Sequence, residues 1–166
     1  VCGIIGVDKD AISVDLSKVM KRKDEVVGRL TTGISLLFKK NKIDFINEEA
    51  TAIGKNSLEI QGETIGFDNL IIATGAGPKD PEIEGLKKYY ADGKAITSKQ
   101  LMDLREIPKK LIIIGNNTYA VEYATLFNSF GSEVHLIHDA NRLLPYMDKE
   151  SATVLERQLK KDGVKL

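Results

Sequence analysis

Apolar residues recur at three- and four-residue steps between residues 16 and 38, which is the spacing of one face of a long α-helix. Asp15 is a candidate N-cap, because its carboxylate can accept hydrogen bonds from the first free N–H groups. Lysines follow the pattern, and Asn41 is the expected C′ residue. We expect Gly28 and Gly33 to allow close packing against a neighbouring element. The predicted packing face comprises Leu16, Val19, Met20, Val27, Leu30, Ile34, Leu37 and Phe38.

Short apolar runs follow, separated by turn residues, which is typical of a small antiparallel meander. Its strands are predicted at 50–53, 58–60 and 64–67, and a weaker strand signal covers 43–46. The run 69–75 ends in Thr74 and Gly75, and it predicts a buried strand that enters a tight turn.

Residues 76–108 have the character of a connector, because glycine and proline interrupt them repeatedly. Thr97 and Ser98 are candidate caps of a short helix that extends to Leu104, and Pro108 prevents its continuation. We therefore predict three parts: residues 1–75, the connector 76–108, and residues 109–166.

Residues 109–166 alternate between strand and helix patterns. Strands are predicted at 110–114 and 133–137, and a third begins at 164. A helix over 118–130 ends at Gly131, and a second begins near Asp148 and ends at Gly163. This β-α-β-α-β order predicts an α/β, doubly wound parallel sheet of the kind that binds nucleotides.

Composition excludes several alternatives. The chain has 166 residues, of which 42% are hydrophobic and 29% charged, as expected for a soluble globular protein. Its 24 basic and 24 acidic residues balance, so neither a nucleic acid nor an acidic membrane surface is an expected partner. The longest apolar runs have four residues, such as 111–114, too few for a membrane span. We expect a cytoplasmic protein.

The single cysteine and two histidines also limit the chemistry. They exclude an intrachain disulfide framework and argue against a zinc site built from Cys and His. Cys2 has no histidine nearby in the sequence, so we do not expect a catalytic thiol. Thr97 and Ser98 have no plausible base beside them, and we expect them to cap a helix.

The most informative motif follows the 110–114 strand. Dinucleotide sites place Gly-x-Gly-x-x-Gly or Ala at such a turn, where the small residues permit a tight turn, approach of a diphosphate and close helix packing. Here the three positions are Gly115, Asn117 and Ala120. The first and third comply. Asn117 is expected to project where the diphosphate would lie, so we predict weak binding of NAD.

An acidic residue usually ends the second strand of such a site, where it binds ribose hydroxyls. His138 stands at this position, and Asp139 follows one residue too late. His138 is either a contact for a 2′-phosphate or a surface histidine without a ligand, and the sequence favours neither. His135 lies within the strand and is expected to be structural.

Several segments together resemble the dihydrolipoamide dehydrogenases, within the flavin-dependent disulfide reductases. The long helix is similar to an interior helix of these enzymes, and the Ala-Thr-Gly turn at 73–75 is similar to one shared by the wider group. The matching segments are 23–27, 30–34, 39–43, 70–76, 107–111, 131–134 and 142–148.

The resemblance implies two nucleotide cofactors. FAD would contact Ala50, Thr74, Gly75 and Ala76. NAD would bind at Gly115, Asn117 and Ala120, with Glu122 near the nicotinamide and His138 at the position of the ribose-binding glutamate; NADP is not excluded. In the whole enzyme, the resemblance implies a homodimer that joins a 2-oxo acid dehydrogenase complex.

The family's redox Cys-x₄-Cys pair, its N-terminal glycine motif and its C-terminal dimerisation domain are not found in this sequence. With one cysteine, the chain is not expected to exchange disulfides alone. We interpret it as an internal fragment, about a third of such an enzyme. The alternatives are a divergent nucleotide-binding module without redox activity, and a structural protein that keeps the fold and binds no ligand.

Overall fold

The structure is a computed structural model, and it describes residues 11–166, apart from the side chains of Ala52 and Ile53. The chain divides into two compact units. One is Lys23–Pro81; the other is Glu82–Leu166 together with the chain up to Arg22. The prediction on Cys2 lies outside the described residues.

The long helix, α1, spans Leu16–Lys40. Asp15 caps it as predicted, since its Oδ1 accepts a hydrogen bond from the N–H of Lys18 at 3.2 Å. The C′ prediction is wrong by one residue. Asn41 still donates its N–H to Leu37, as a helical residue does, and Lys42 takes the left-handed conformation with φ of 55°.

Most of the apolar face of α1 is exposed, although we predicted that it would pack against a neighbouring element. Leu16 and Met20 are buried, whereas Leu30 is 63% exposed. The packing role of the two glycines is also wrong, because a Cβ on either Gly28 or Gly33 would meet no atom within 4 Å among the described residues. The 3.6-residue period predicted the helix correctly, but not what packs against it.

The predicted meander is confirmed. Strands β1 (Ala50–Gly54), β2 (Ser57–Ile60) and β3 (Glu63–Gly66) form an antiparallel sheet in sequence order. Gln61 and Gly62 connect β2 to β3 with φ of 52° and 81°, the two positive angles that a tight hairpin turn requires.

Two predicted strands are wrong. Residues 43–46 and 69–75 contain no strand, and Ile71 is 88% exposed. A buried strand needs hydrogen-bonded neighbours and apolar cover on both faces. Among residues 11–166 no strand pairs with either segment.

The connector contains two short helices. Helix α2 (Leu86–Ala91) was not predicted, whereas α3 (Ser98–Leu101) begins at the predicted cap. Thr97 accepts from the N–H of Gln100, and the Gln100 side chain accepts in return from the N–H of Thr97. The helix ends earlier than Leu104, the predicted end.

The predicted third strand is present only as a single bridge, whereas the β-α-β-α order before it is confirmed. It consists of β4 (Lys110–Ile114), α4 (Thr118–Ser129), β5 (Glu133–Ile137) and α5 (Lys149–Lys161). Strands β4 and β5 are parallel, and a parallel bridge from His135 to Lys165 continues the sheet where the third strand was expected. Gly131 and Gly163 follow the two helices with φ of 96° and 100°.

One face of this sheet carries the core. Val134 and Leu136 from β5 pack with apolar residues of α4, α5 and the loop between β5 and α5, and Phe127 and Leu143 are among the largest fully buried side chains. The opposite face exposes Ile112, Ile114 and Ile137. Cover on one face is enough to form a closed cluster of buried side chains.

Charged residues occupy the start of the exposed face. Glu133 accepts from Lys165 and contacts His135 Nε2 at 3.0 Å and Lys110 Nζ at 3.5 Å. The hydrogen bond from Lys165, followed by that from His135, lowers the pKa of Glu133 to about 2. His135 therefore has the structural contact that its place in the strand predicts.

Candidate functional site

The turn after β4 depends on small residues. Gly115 has φ of 148°, and a Cβ there would meet the Cβ of Ala120 at 3.5 Å. The N–H of Gly115 donates to the carbonyl of Ile137 at 2.9 Å, which joins this turn to the end of β5. Because Gly115 and Ala120 are both small, α4 begins directly above the strand.

Asn117 is the N-cap of α4. Its Oδ1 accepts from the N–H of Ala120 at 3.0 Å, and its backbone is extended, with φ of −91°. The side chain therefore lies at the helix N-terminus, in the region expected for a diphosphate. It also occupies an N–H group that an anion bound there would use.

Tyr146 occupies a second N–H group of the same helix end. Its hydroxyl accepts from the N–H of Thr118 at 2.9 Å and lies 2.8 Å from the hydroxyl of Thr118. Thr118 and Ala120, two of the first three residues of α4, thus have their N–H groups bound by side chains of the chain itself. Tyr146 was not among the predicted site residues, because 28 residues separate it from Thr118 along the chain.

The loop that carries Tyr146 is fixed at several points. Nη2 of Arg142 donates to the carbonyls of Pro145 at 2.7 Å and Met147 at 2.8 Å. The N–H of Leu144 donates to the carbonyl of Asn116 at 2.8 Å, and Leu144 has φ of 48°. The loop after β5 is therefore fastened to the turn after β4, beside the start of α4.

His138 lies at the same edge of the sheet, directly after Ile137. Its Nδ1 is buried and has no hydrogen-bond partner among the described residues, and the same holds for Nη1 of Arg142. Glu122 lies further along α4 and is exposed. The structure thus brings Gly115, Asn117, Ala120 and His138 to one sheet edge, where parallel α/β sheets bind ligands.

The residues predicted to contact FAD lie in two different kinds of structure. Ala50 begins β1 and pairs with Ile60. Thr74, Gly75 and Ala76 are exposed and lie outside helices and strands. Within residues 11–166 no hydrogen bond connects the two places.

Residues 11–166 hold no cluster of three or more His, Cys, Asp or Glu side chains suited to a metal ion. Over that range, every helix is too short or too polar to cross a membrane.

The sequence matches the family described as "Pyridine nucleotide-disulphide oxidoreductase" over residues 5–166. The chain therefore belongs to the pyridine nucleotide-disulphide oxidoreductases. The predicted fold class is confirmed: an α/β, Rossmann-like doubly wound fold of the FAD/NAD-binding type, accompanied by a small antiparallel meander.

Within this family, the chain is similar to proteins named dihydrolipoyl dehydrogenase. A dihydrolipoyl dehydrogenase of Acholeplasma laidlawii is 38% identical over 155 residues, which are 93% of this chain and 46% of the relative. One of Bacillus subtilis is 37% identical over 161 residues, or 94% of this chain and 34% of the relative. The chain thus spans between a third and a half of the length of these relatives.

A solved structure gives the same result. The HOCl-induced flavoprotein disulfide reductase RclA of Escherichia coli, in its Cu(II) complex, superimposes with a TM-score of 0.80 at 31% identity. The match covers 92% of this chain and 34% of that protein. The predicted resemblance to flavin-dependent disulfide reductases is confirmed.

Proposed function

We propose that this chain provides nucleotide-binding parts of a dihydrolipoyl dehydrogenase-like flavoenzyme, and that the turn after β4 holds the diphosphate of NAD. The observation that supports this most strongly is the short turn through Gly115, with φ of 148°, which places the N-terminus of α4 directly after a parallel strand. The positive end of the helix dipole and its free N–H groups favour an anion at that position.

The residues present fit NAD in part. As small residues, Gly115 and Ala120 would permit the approach of a diphosphate, and His138, directly after β5, would meet the adenosine ribose or its 2′-phosphate. Asn117 opposes binding, because its Oδ1 must release the N–H of Ala120 first. We therefore expect weak affinity for NAD, and the same contacts would also admit NADP.

Support for FAD is less direct. The proposed contacts are Ala50, Thr74, Gly75 and Ala76, and the family membership and the resemblance support them. When bound in the whole enzyme, FAD would relay electrons from a dithiol to NAD, which would accept them as a hydride. The single cysteine of this sequence does not form the disulfide pair that such exchange uses. We accordingly expect no lipoamide-dependent NADH oxidation by these 166 residues alone.

The assembly follows from the same proposal. As part of a dihydrolipoyl dehydrogenase-like enzyme, the chain would belong to a homodimer within a 2-oxo acid dehydrogenase complex in the cytoplasm. The capped N–H groups of α4 favour a second candidate, a divergent module that keeps the nucleotide-binding fold without redox activity.

A titration of NADH against two matched cap variants tests the site. Asn117→Gly frees the N–H of Ala120 at a cost of only a few tenths of a kcal/mol in helix stability, so we expect several-fold tighter binding. Asp148→Gly is the control, because Asp148 caps α5 in the same way, through the N–H of Ser151 at 2.8 Å. It should leave the affinity unchanged.

Two results would count against the proposal. Equal affinities of Asn117→Gly and the parent chain would separate the α4 N-terminus from binding, and no binding by either would favour the structural alternative. Addition of His138→Glu to Asn117→Gly should tighten NADH binding further, since a carboxylate can accept from ribose hydroxyls.

A further inference from the structure

The hydroxyl of Tyr146 occupies the first N–H group of α4. Thr118 is the first residue of the helix, and its N–H donates to Tyr146 at 2.9 Å. The hydroxyl of Thr118 lies at 2.8 Å, so the phenol has two polar contacts at this helix end. An anion bound at a helix N-terminus uses the same N–H groups, and one N–H cannot serve two acceptors at full strength.

This contact differs from an ordinary helix cap. Asn117 is adjacent to α4 and caps it through the N–H of Ala120, as most N-caps do. Tyr146 comes from a separate loop, 28 residues further along the chain. Its presence there is a product of the tertiary fold, and local helix formation does not require it.

The loop can stay in place while the side chain leaves. Arg142 and the N–H of Leu144 hold the backbone on both sides of Tyr146. The residue itself is 62% exposed, so rotation of the phenol into solvent uncovers little apolar surface. Rotation about side-chain torsions is then the only movement needed.

We infer that the Tyr146 hydroxyl competes with the diphosphate for the N–H of Thr118. This inference rests on the proposed nucleotide site. In the free chain the Tyr146 hydroxyl binds the N–H of Thr118. A diphosphate takes that N–H only after the side chain has rotated away, so the contact lowers affinity for any nucleotide bound through this helix end. Tyr146 is thus an affinity-determining residue that acts through α4.

The test is a titration of Tyr146→Phe with NADH and, separately, with inorganic pyrophosphate. Removal of the hydroxyl deletes one hydrogen bond of the free state, so we expect affinity to rise about two- to twelvefold. Pyrophosphate should show the same direction, because the competition concerns the phosphate position. Tyr89→Phe is the control: Tyr89 lies in α2, is likewise exposed, and loses the same hydroxyl. Thermal unfolding of Tyr89→Phe should match the parent chain, and Tyr146→Phe should unfold at a slightly lower temperature, because its free state has lost the hydrogen bond to Thr118.

The outcomes separate this inference from the proposed function. If the parent chain binds NADH and Tyr146→Phe binds equally or more weakly, the inference is overturned and the nucleotide site stands. Weaker binding would show that the hydroxyl is itself a ligand of the phosphate. If neither the parent chain, Tyr146→Phe nor Asn117→Gly binds either probe, both proposals fail. An equal gain in Tyr89→Phe would also overturn the inference.

Discussion

Glu82–Leu166 and Lys23–Pro81 use similar apolar patterns with opposite results. In Glu82–Leu166 the apolar side chains of α4, β5 and α5 close on one another, and Phe127 is 1% exposed. In Lys23–Pro81 the apolar residues of α1 and of the run 69–75 remain largely exposed. The hydrophobic pattern therefore predicted helix α1, whereas burial, and the formation of a strand at 69–75, depend on whether partner elements lie within the same stretch of chain.

The difference has an energetic consequence. Complete burial of a large apolar side chain contributes about 1.5–3 kcal/mol, and only side chains removed from water contribute it. We expect the free energy of unfolding to reside mainly in the β4–α5 region. The meander and α1 should contribute chiefly through their backbone hydrogen bonds.

The largest predicted effect is a pair of truncations. Phe127→Ala leaves a cavity in the core and should lower the free energy of unfolding by about 3–5 kcal/mol. Leu30→Ala, at a position 63% exposed in α1, should change it by less than about 0.5 kcal/mol. Urea unfolding followed by circular dichroism measures both.

Comparable losses in these two variants would show that α1 is covered as well as the β4–α5 core. A loss below about 1 kcal/mol for Phe127→Ala would contradict the location of the core itself, because fully buried aromatic residues rarely tolerate such truncation.

A smaller pair concerns glycines. Gly131 has φ of 96° after α4, so Gly131→Ala forces a Cβ into the left-handed region and should destabilise by roughly 1–2 kcal/mol. Gly28 lies inside α1, where a Cβ meets nothing within 4 Å. Gly28→Ala should therefore increase helix stability by up to about 1 kcal/mol.

A lower Tm for Gly131→Ala and a higher Tm for Gly28→Ala would support the difference between the two regions. If Gly28→Ala lowers the Tm, the result would instead support the close packing at Gly28 that the sequence predicted. A neutral Gly131→Ala would show that α4 ends without the left-handed residue seen in the structure.

The sequence predicted elements whose causes are local. The caps Asp15 and Thr97, the helix start near Asp148 and the glycines after α4 and α5 depend on a few neighbouring residues, and all were found where expected. The 69–75 strand was wrong because its formation depends on neighbouring strands, which no pattern within seven residues specifies. Helix α2 was missed because its six residues are too few for a periodic signal.

In the candidate site, too, residues close together in the sequence were predicted and residues from a distant loop were not. Gly115, Asn117 and Ala120 belong to one short motif, so they could be located from the sequence, and the φ of 148° at Gly115 explains why glycine stands there. The cap formed by Asn117 shows a competing role that the motif alone did not reveal. Tyr146 and Arg142 reach the site through the path of the loop, and their positions became evident only in three dimensions.

The most direct test of the central claim is a ¹⁵N amide chemical-shift titration of the chain with NADH. If the diphosphate binds at the N-terminus of α4, the largest shifts should occur at Gly115, Thr118 and Ala120, with a further change at His138. Shifts confined to Lys23–Pro81, or an unchanged spectrum at saturating NADH, would contradict the account.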